Sequence, residues 1–220
     1  MHVEIWSDIA CPWCYVGKRR FEAAFAGFEH RDEVQVTWRS FELDPAAARE
    51  QPGVYVERLA AKYGRTREQA QEMIDGMTET AAGVGLDFRF DIIRSGSTFD
   101  AHRLVHLGAA HHISEAVTER LFAAYLTEGR PIGEPETLAE VAAETGLDAA
   151  EVREVLDGDR FADAVRADEG LAAQLGIAAV PCFVVDRATG ASGAQDPKVL
   201  LDLLRDGWQA REPANAPARS

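Results

Sequence analysis

Cys11 and Cys14 are two of only three cysteines in this 220-residue chain, and Pro12 and Trp13 separate them in "DIACPWCYVGKRRFE" (8–22). That spacing serves three chemistries: half of a structural zinc site, a disulfide staple, or the reactive pair of a thiol enzyme. Zinc needs about four ligands, usually a second Cys/His pair at similar spacing. Cys182 stands alone and four of the six histidines cluster at 102–112, so no metal is expected. A staple closing so short a loop removes little chain entropy, and three cysteines do not make a disulfide framework. An attacking thiol with its resolving partner remains.

The flanking elements must position that pair. "HVEIW" (2–6) alternates apolar and polar residues as a short strand does, and it stops at Ser7 and Asp8. Pro12 suits the first turn of a helix, where its missing N–H costs nothing. Phe21, Phe25 and Phe28 then form an apolar stripe. Cys11 therefore stands at a helix N-terminus, where unpaired N–H groups and the positive end of the dipole favour thiolate. Cys14, one turn on, shares that face, is more buried, and holds its proton longer.

"EVQVTWRSFEL" (33–43) is a second strand, completing a βαβ unit that favours a parallel pair. Helical patterns then follow at 53–64, 66–85, 98–112, 114–129, 135–146 and 148–158. Thr66, Ser114 and Asp148 are their N-caps and Gly129, Gly146 and Gly158 their stops. A helix over 160–176, an apolar strand over 177–186, a glycine-rich turn with a short edge strand in 187–195, and a helix over 196–210 complete the chain. The predicted fold class is α/β, with an all-helical insertion between the two sheet-forming ends.

Pro181 opens an apolar strand, where proline needs a reason. A cis peptide after Val180 is one reason and an edge position another; the cis form would let Val180 offer its N–H and C=O to a chain docked beside the cysteines. Two carboxylates are candidate proton acceptors. Asp8 can instead simply cap the helix or hold a local turn, and the facing of Glu4 in the first strand decides whether it reaches Cys14. His102 and His106 are an i, i+4 pair without a third ligand at sensible spacing. Cys182 reads as a core thiol, with a third redox sulfur as the alternative.

"SDIACPWCYVGKRRFE", "AVPCFVVD" followed by "SGAQ", and "TFDAHRL" together resemble the FrnE-type branch of the DsbA family, over about residues 3–206. The resemblance implies a thioredoxin fold carrying a helical insertion, and dithiol–disulfide oxidoreductase activity. It makes the two sheet-forming parts, 1–50 and 160–210, the thioredoxin-like domain around an inserted helical domain at 51–159, while the Pro/Ala-rich composition of 211–220 predicts a disordered tail. It casts Cys11 as the attacking cysteine, Cys14 as the resolving one and Pro181 as the cis-proline. Pro12, Trp13, Val180 and His102 become substrate-binding residues. Trp13 stands where strongly oxidising members carry a histidine, which implies a less oxidising pair. Kappa-class glutathione transferases and 2-hydroxychromene-2-carboxylate isomerases are similar in fold. They use glutathione and typically carry serine where this chain has Cys11, so a glutathione-dependent isomerase or transferase is the alternative.

No cofactor is required on this reading, with glutathione admitted as cosubstrate or reductant. Partners are protein or small-molecule thiols and disulfides, and the protein is a monomer or homodimer. A net charge of −14 argues against nucleic acid and against an anionic membrane surface. "MHVEIWSD" lacks the basic and apolar segments of a secretory signal, so a cytoplasmic protein is expected.

Overall fold

Val3, Ile5 and Trp6 are almost wholly shielded from solvent because β1 (His2–Ser7) has neighbours on both sides. In the computed structural model, which describes residues 1–211, β1 pairs in parallel with β2 (Gln35–Ser40) and antiparallel with β3 (Cys182–Val185). β3 turns back into β4 (Thr189–Ser192), so the strand order is β2-β1-β3-β4. The parallel β1–β2 pair follows from the helix that joins them, α1 (Pro12–Ala26).

Alternation along β1 assigns the two faces of the sheet. Val3 and Ile5 stand opposite Val185 and Phe183, and Phe21 of α1 stacks on Phe183 at 5.5 Å. α9 (Pro197–Arg211) packs beside α1. On the other face, Trp6, Cys182 and Val184 meet Ala172 of α8 (Ala162–Gln174) in a separate apolar cluster.

Between β2 and α8 come α2 (Tyr55–Tyr63), α3 (Arg67–Ala82), α4 (Phe99–Ala110), α5 (Ser114–Leu126), α6 (Pro135–Ala143) and α7 (Ala149–Asp157). The main apolar core runs unbroken from Val3 and Ile5 to Leu121, Val141 and Val155 of this insert. Thr66 caps α3 in a capping box with Gln69, and Asp148 caps α7 through two backbone N–H groups. Among the described residues no helix is long and apolar enough to cross a membrane.

Four expectations are corrected. Ser114 is the first residue of α5 rather than its cap, the cap position being Ile113. The strand expected over 33–43 is shorter, because Arg31–Glu33 forms a 3-10 turn and the ladder ends at Ser40. The strand expected over 177–186 begins only at Cys182. The Ile177 N–H is bonded back to Ala172 at the end of α8, and Pro181 has no N–H to give a ladder. Finally, the expected tail over 211–220 starts one residue early, since Arg211 closes α9; residues 212–220 lie outside the described residues.

Candidate active site

Pro12 is the first residue of α1 and Cys11 its N-cap, with no side-chain capping bond that would engage the sulfur. The Asp8 carbonyl accepts from the Cys11 N–H at 3.0 Å, and the Cys11 carbonyl accepts from Cys14 N–H at 3.0 Å. These bonds fix the turn that carries both sulfurs. Both are free thiols. Burial pushes the Cys14 thiol well above its ordinary range, and the neighbouring Cys11 sulfur reinforces the effect. The Asp8 amide and the Ser7 hydroxyl pull weakly the other way.

The Val180–Pro181 peptide bond is cis. The Val180 carbonyl lies 3.8 Å from the Cys11 sulfur, which brings the two ends of the chain together at one point. Gly17, on the same helix as the cysteines, makes that approach available: a Cβ there would stand 2.7 Å from Cγ of Pro181. Cys11, Pro12 and Trp13 open on a cavity of about 390 Å3. Trp13 is 41% exposed at its edge, whereas Cys11 and Pro12 are buried. The loop after β2 and the segment 95–98 form the walls. Gln51 N–H donates to Ser95 O at 2.8 Å and Ser97 N–H to Ala48 O at 2.9 Å.

Asp8 also borders the cavity, but its carboxylate is committed to the backbone. Oδ1 accepts from Ala10 N–H at 3.2 Å and Oδ2 from Leu43 N–H at 2.7 Å. It therefore holds a turn, the second of the two roles considered for it. His102 sits 3.5 Å from Asp8 Oδ1 and within 3.1 Å of the Phe41 carbonyl. It is buried behind Asp8 and does not border the cavity. The structure does not bring it to the substrate side, because α4 packs it against the loop that follows β2. His106 turns elsewhere, to Asp168 Oδ2 at 3.1 Å and the Ser40 hydroxyl at 3.2 Å.

Glu4 is not a proton acceptor for Cys14. Even-numbered residues of β1 face α8, and there Glu4 is gripped by two guanidinium groups, Arg187 at 2.8 Å and Arg39 at 2.6 Å. The hydrogen bond from Arg187, then that from Arg39, holds its carboxyl at about 2 against the desolvation that opposes ionisation. Cys182 is on that same face, in the cluster with Trp6, and burial pushes its thiol up. It is a core thiol, separated by the sheet from α1 and its two cysteines.

Three site residues escaped the sequence reading. Ser7 follows Val3 and Ile5 on the α1 face of β1, which strict alternation signals. Arg58 and Lys62 line the cavity from α2 with Tyr55, Leu59 and Tyr63, a helical spacing that puts all five on one side. The periodicity was visible, but nothing local indicated that this side looks onto Cys11.

The family described as DSBA-like thioredoxin domain matches residues 2–205. "Uncharacterized protein YwbO" of Bacillus subtilis (strain 168) is 28% identical over 187 residues, covering 84% of this chain and 86% of its own. The structure of a probable DsbA oxidoreductase, SCO1869, from Streptomyces coelicolor superposes with a TM-score of 0.92 at 47% identity, over 100% of this chain and 93% of that one. The cytosolic disulfide reductase DsbM from Pseudomonas aeruginosa, solved with GSH, shares the fold. Its TM-score is 0.66 at 18% identity, over 95% of this chain and 100% of that one. With the family match running through both sheet-forming ends and the helical insert between them, this chain belongs to the DSBA-like thioredoxin domain family.

Proposed function

We propose that the protein is a dithiol–disulfide oxidoreductase in which Cys11 attacks a substrate disulfide and Cys14 resolves the adduct. The observation that carries this reading is the asymmetry of the pair. Cys14 is buried with its thiol pushed up, while Cys11 sits at the helix terminus beside the Val180 carbonyl and on the cavity wall. In the first step the Cys11 thiolate bonds to one substrate sulfur and the other leaves as a thiolate. In the second, Cys14 attacks the Cys11 sulfur, the Cys11–Cys14 disulfide forms, and the substrate's second sulfur departs. Trp13 supplies an exposed apolar face beside the reacting sulfurs, and Val180 a backbone carbonyl for a docked chain.

A small thiol bearing carboxylates, of the glutathione type, is proposed as the reductant. Arg58 and Lys62 border the cavity, and neither has a carboxylate partner among the described residues. The cavity is of a size that encloses a small molecule. A thiol at position 11, rather than a hydroxyl, supports exchange over the isomerase or transferase alternative. Work in the cytoplasm is part of the same proposal.

Catalysed insulin reduction tests the reading, with dithiothreitol or glutathione as electron donor. Turnover is expected with the wild type and its loss with Cys11→Ser. Equal rates for the two proteins would overturn it, and activity with dithiothreitol but none with glutathione would overturn the reductant alone.

A further inference from the structure

Residues 44–51, in the loop after β2, run along the cavity as a strap and give it Asp44, Ala47 and Gln51. A slot in the backbone holds this strap. The Arg49 carbonyl enters between Gly96, just ahead of α4, and Gly133, in the loop from α5 to α6. A Cβ on Gly96 would stand 2.0 Å from the Arg49 oxygen, and one on Gly133 would stand 1.9 Å from it. Real Cβ atoms do not come within 3.0 Å of a neighbour, so only glycine fits on either side. Hydrogen bonds flank the slot. Ser97 N–H donates to the Ala48 carbonyl at 2.9 Å, and Gln51 N–H donates to the Ser95 carbonyl at 2.8 Å. Arg94 reaches Glu50 at 2.9 Å and Glu134 at 3.2 Å, but these pairs are exposed and add little. The strap then leads directly into α2, whose cap position is Val54, so a shift at Arg49 is carried on to Arg58 and Lys62.

We propose that Gly96 and Gly133 are positioning residues for thiol recognition. By seating the Arg49 carbonyl they fix the strap and the start of α2, and so shape the cavity for a charged thiol of about tripeptide size. This rests on the exchange reading and its glutathione-type reductant. Cys11 is only 5% exposed, so a thiol that reaches it through the cavity meets the strap as well as Arg58 and Lys62. Glutathione carries carboxylates, amides and an ammonium group for these walls to bind. Dithiothreitol carries no charged group and depends far less on where the walls stand. The slot therefore acts on which thiol is accepted, while the sulfur exchange itself stays with Cys11 and Cys14.

Gly133 does not border the cavity, so Gly133→Ala forces the strap off its seat and keeps every lining side chain. In insulin reduction the KM for glutathione is expected to rise about tenfold, the scale of a lost fit in a small-molecule pocket. The kcat is expected to hold, and the KM for dithiothreitol to change little. Exchange of the Ser97 and Gln51 amide hydrogens should quicken, because both bonds cross to or from the strap. If Gly133→Ala does not fold, the double variant Asp44→Ala, Gln51→Ala decides, since it strips the wall on an intact seat; the same selective rise is expected. An unchanged glutathione KM in the deciding variant overturns the proposal. So does an equal rise for both donors, because general loosening would then explain it. Wild-type turnover with dithiothreitol but none with glutathione would overturn the reductant reading and the proposal with it. No turnover with either donor would overturn the exchange reading itself.

Discussion

Gly17 shows how one residue sets the geometry of the pair. It sits on α1 one turn beyond Cys14, and Pro181 packs so closely on it that an added Cβ would stand 2.7 Å from Pro181 Cγ and 3.4 Å from the Phe183 ring. Proline is stiff and Phe183 is fixed in the sheet, so neither gives way cheaply. Gly17→Ala is expected to destabilise the protein by about 1–3 kcal/mol in urea unfolding. Insulin reduction should fall further than that loss implies, because the Val180 carbonyl is carried away from Cys11. Unchanged rates with an unchanged midpoint would show that the contact relaxes freely.

Among the elements, α1 is held at its start and at its middle. Its start is fixed by the Cys11 and Cys14 turn bonds. Its middle is clamped to α5 by a cluster of charges around Glu119. The Tyr15 hydroxyl donates to Glu119 Oε1 at 2.5 Å, Lys18 lies 2.9 Å from Oε2, and Arg19 closes the group. Lys18 is only 2% exposed and also pairs with Glu22. Burial works against the Glu119 charge, yet the bonds from Tyr15, Lys18 and Arg19 win and its carboxyl titrates below the usual range. Glu119→Gln removes the charge at constant size and leaves Lys18 short of a partner. The expected loss is about 2 kcal/mol, read as a shift of the urea midpoint. The thiol chemistry should change less than with Gly17→Ala, since the clamp lies away from the sulfurs.

For the whole molecule, acid is the sensitive condition. Glu4, held at about 2 by Arg187 and Arg39, ties β1 to β2 and to the β3–β4 turn. Asp168 ties α8 to the end of β2 and to α4 through Arg39, Ser40 N–H and His106. Its burial opposes the charge, but the hydrogen bonds from His106 and Ser40 outweigh it and lower its titration range. A carboxyl that titrates lower when folded than when unfolded stabilises the fold fully above its unfolded value and loses that contribution as the pH falls. For Glu4 the loss runs from about 4.5 down to about 2. Glu4→Gln is therefore expected to cost about 2 kcal/mol at pH 7. Its stability should converge with that of the wild type as both are titrated toward pH 2. A gap that stays constant from pH 7 to pH 2 would exclude this linkage.

What the sequence determined by itself was local. The Cys-Pro-Trp-Cys turn, the proline at the first helical position, the caps at Thr66 and Asp148, and the parallel β1–β2 pair all follow from rules that act within a few residues or across one crossover. The tertiary structure decided which side of the sheet each residue faces. It sent Glu4 to two arginines and Cys182 to the α8 side. It also laid the Arg58 and Lys62 side of α2 along the cavity that Cys11 borders. The physical reason is that facing depends on what packs against an element. Alternation and helical spacing group residues by side, but burial and charge pairing with distant segments select which side meets the cysteines.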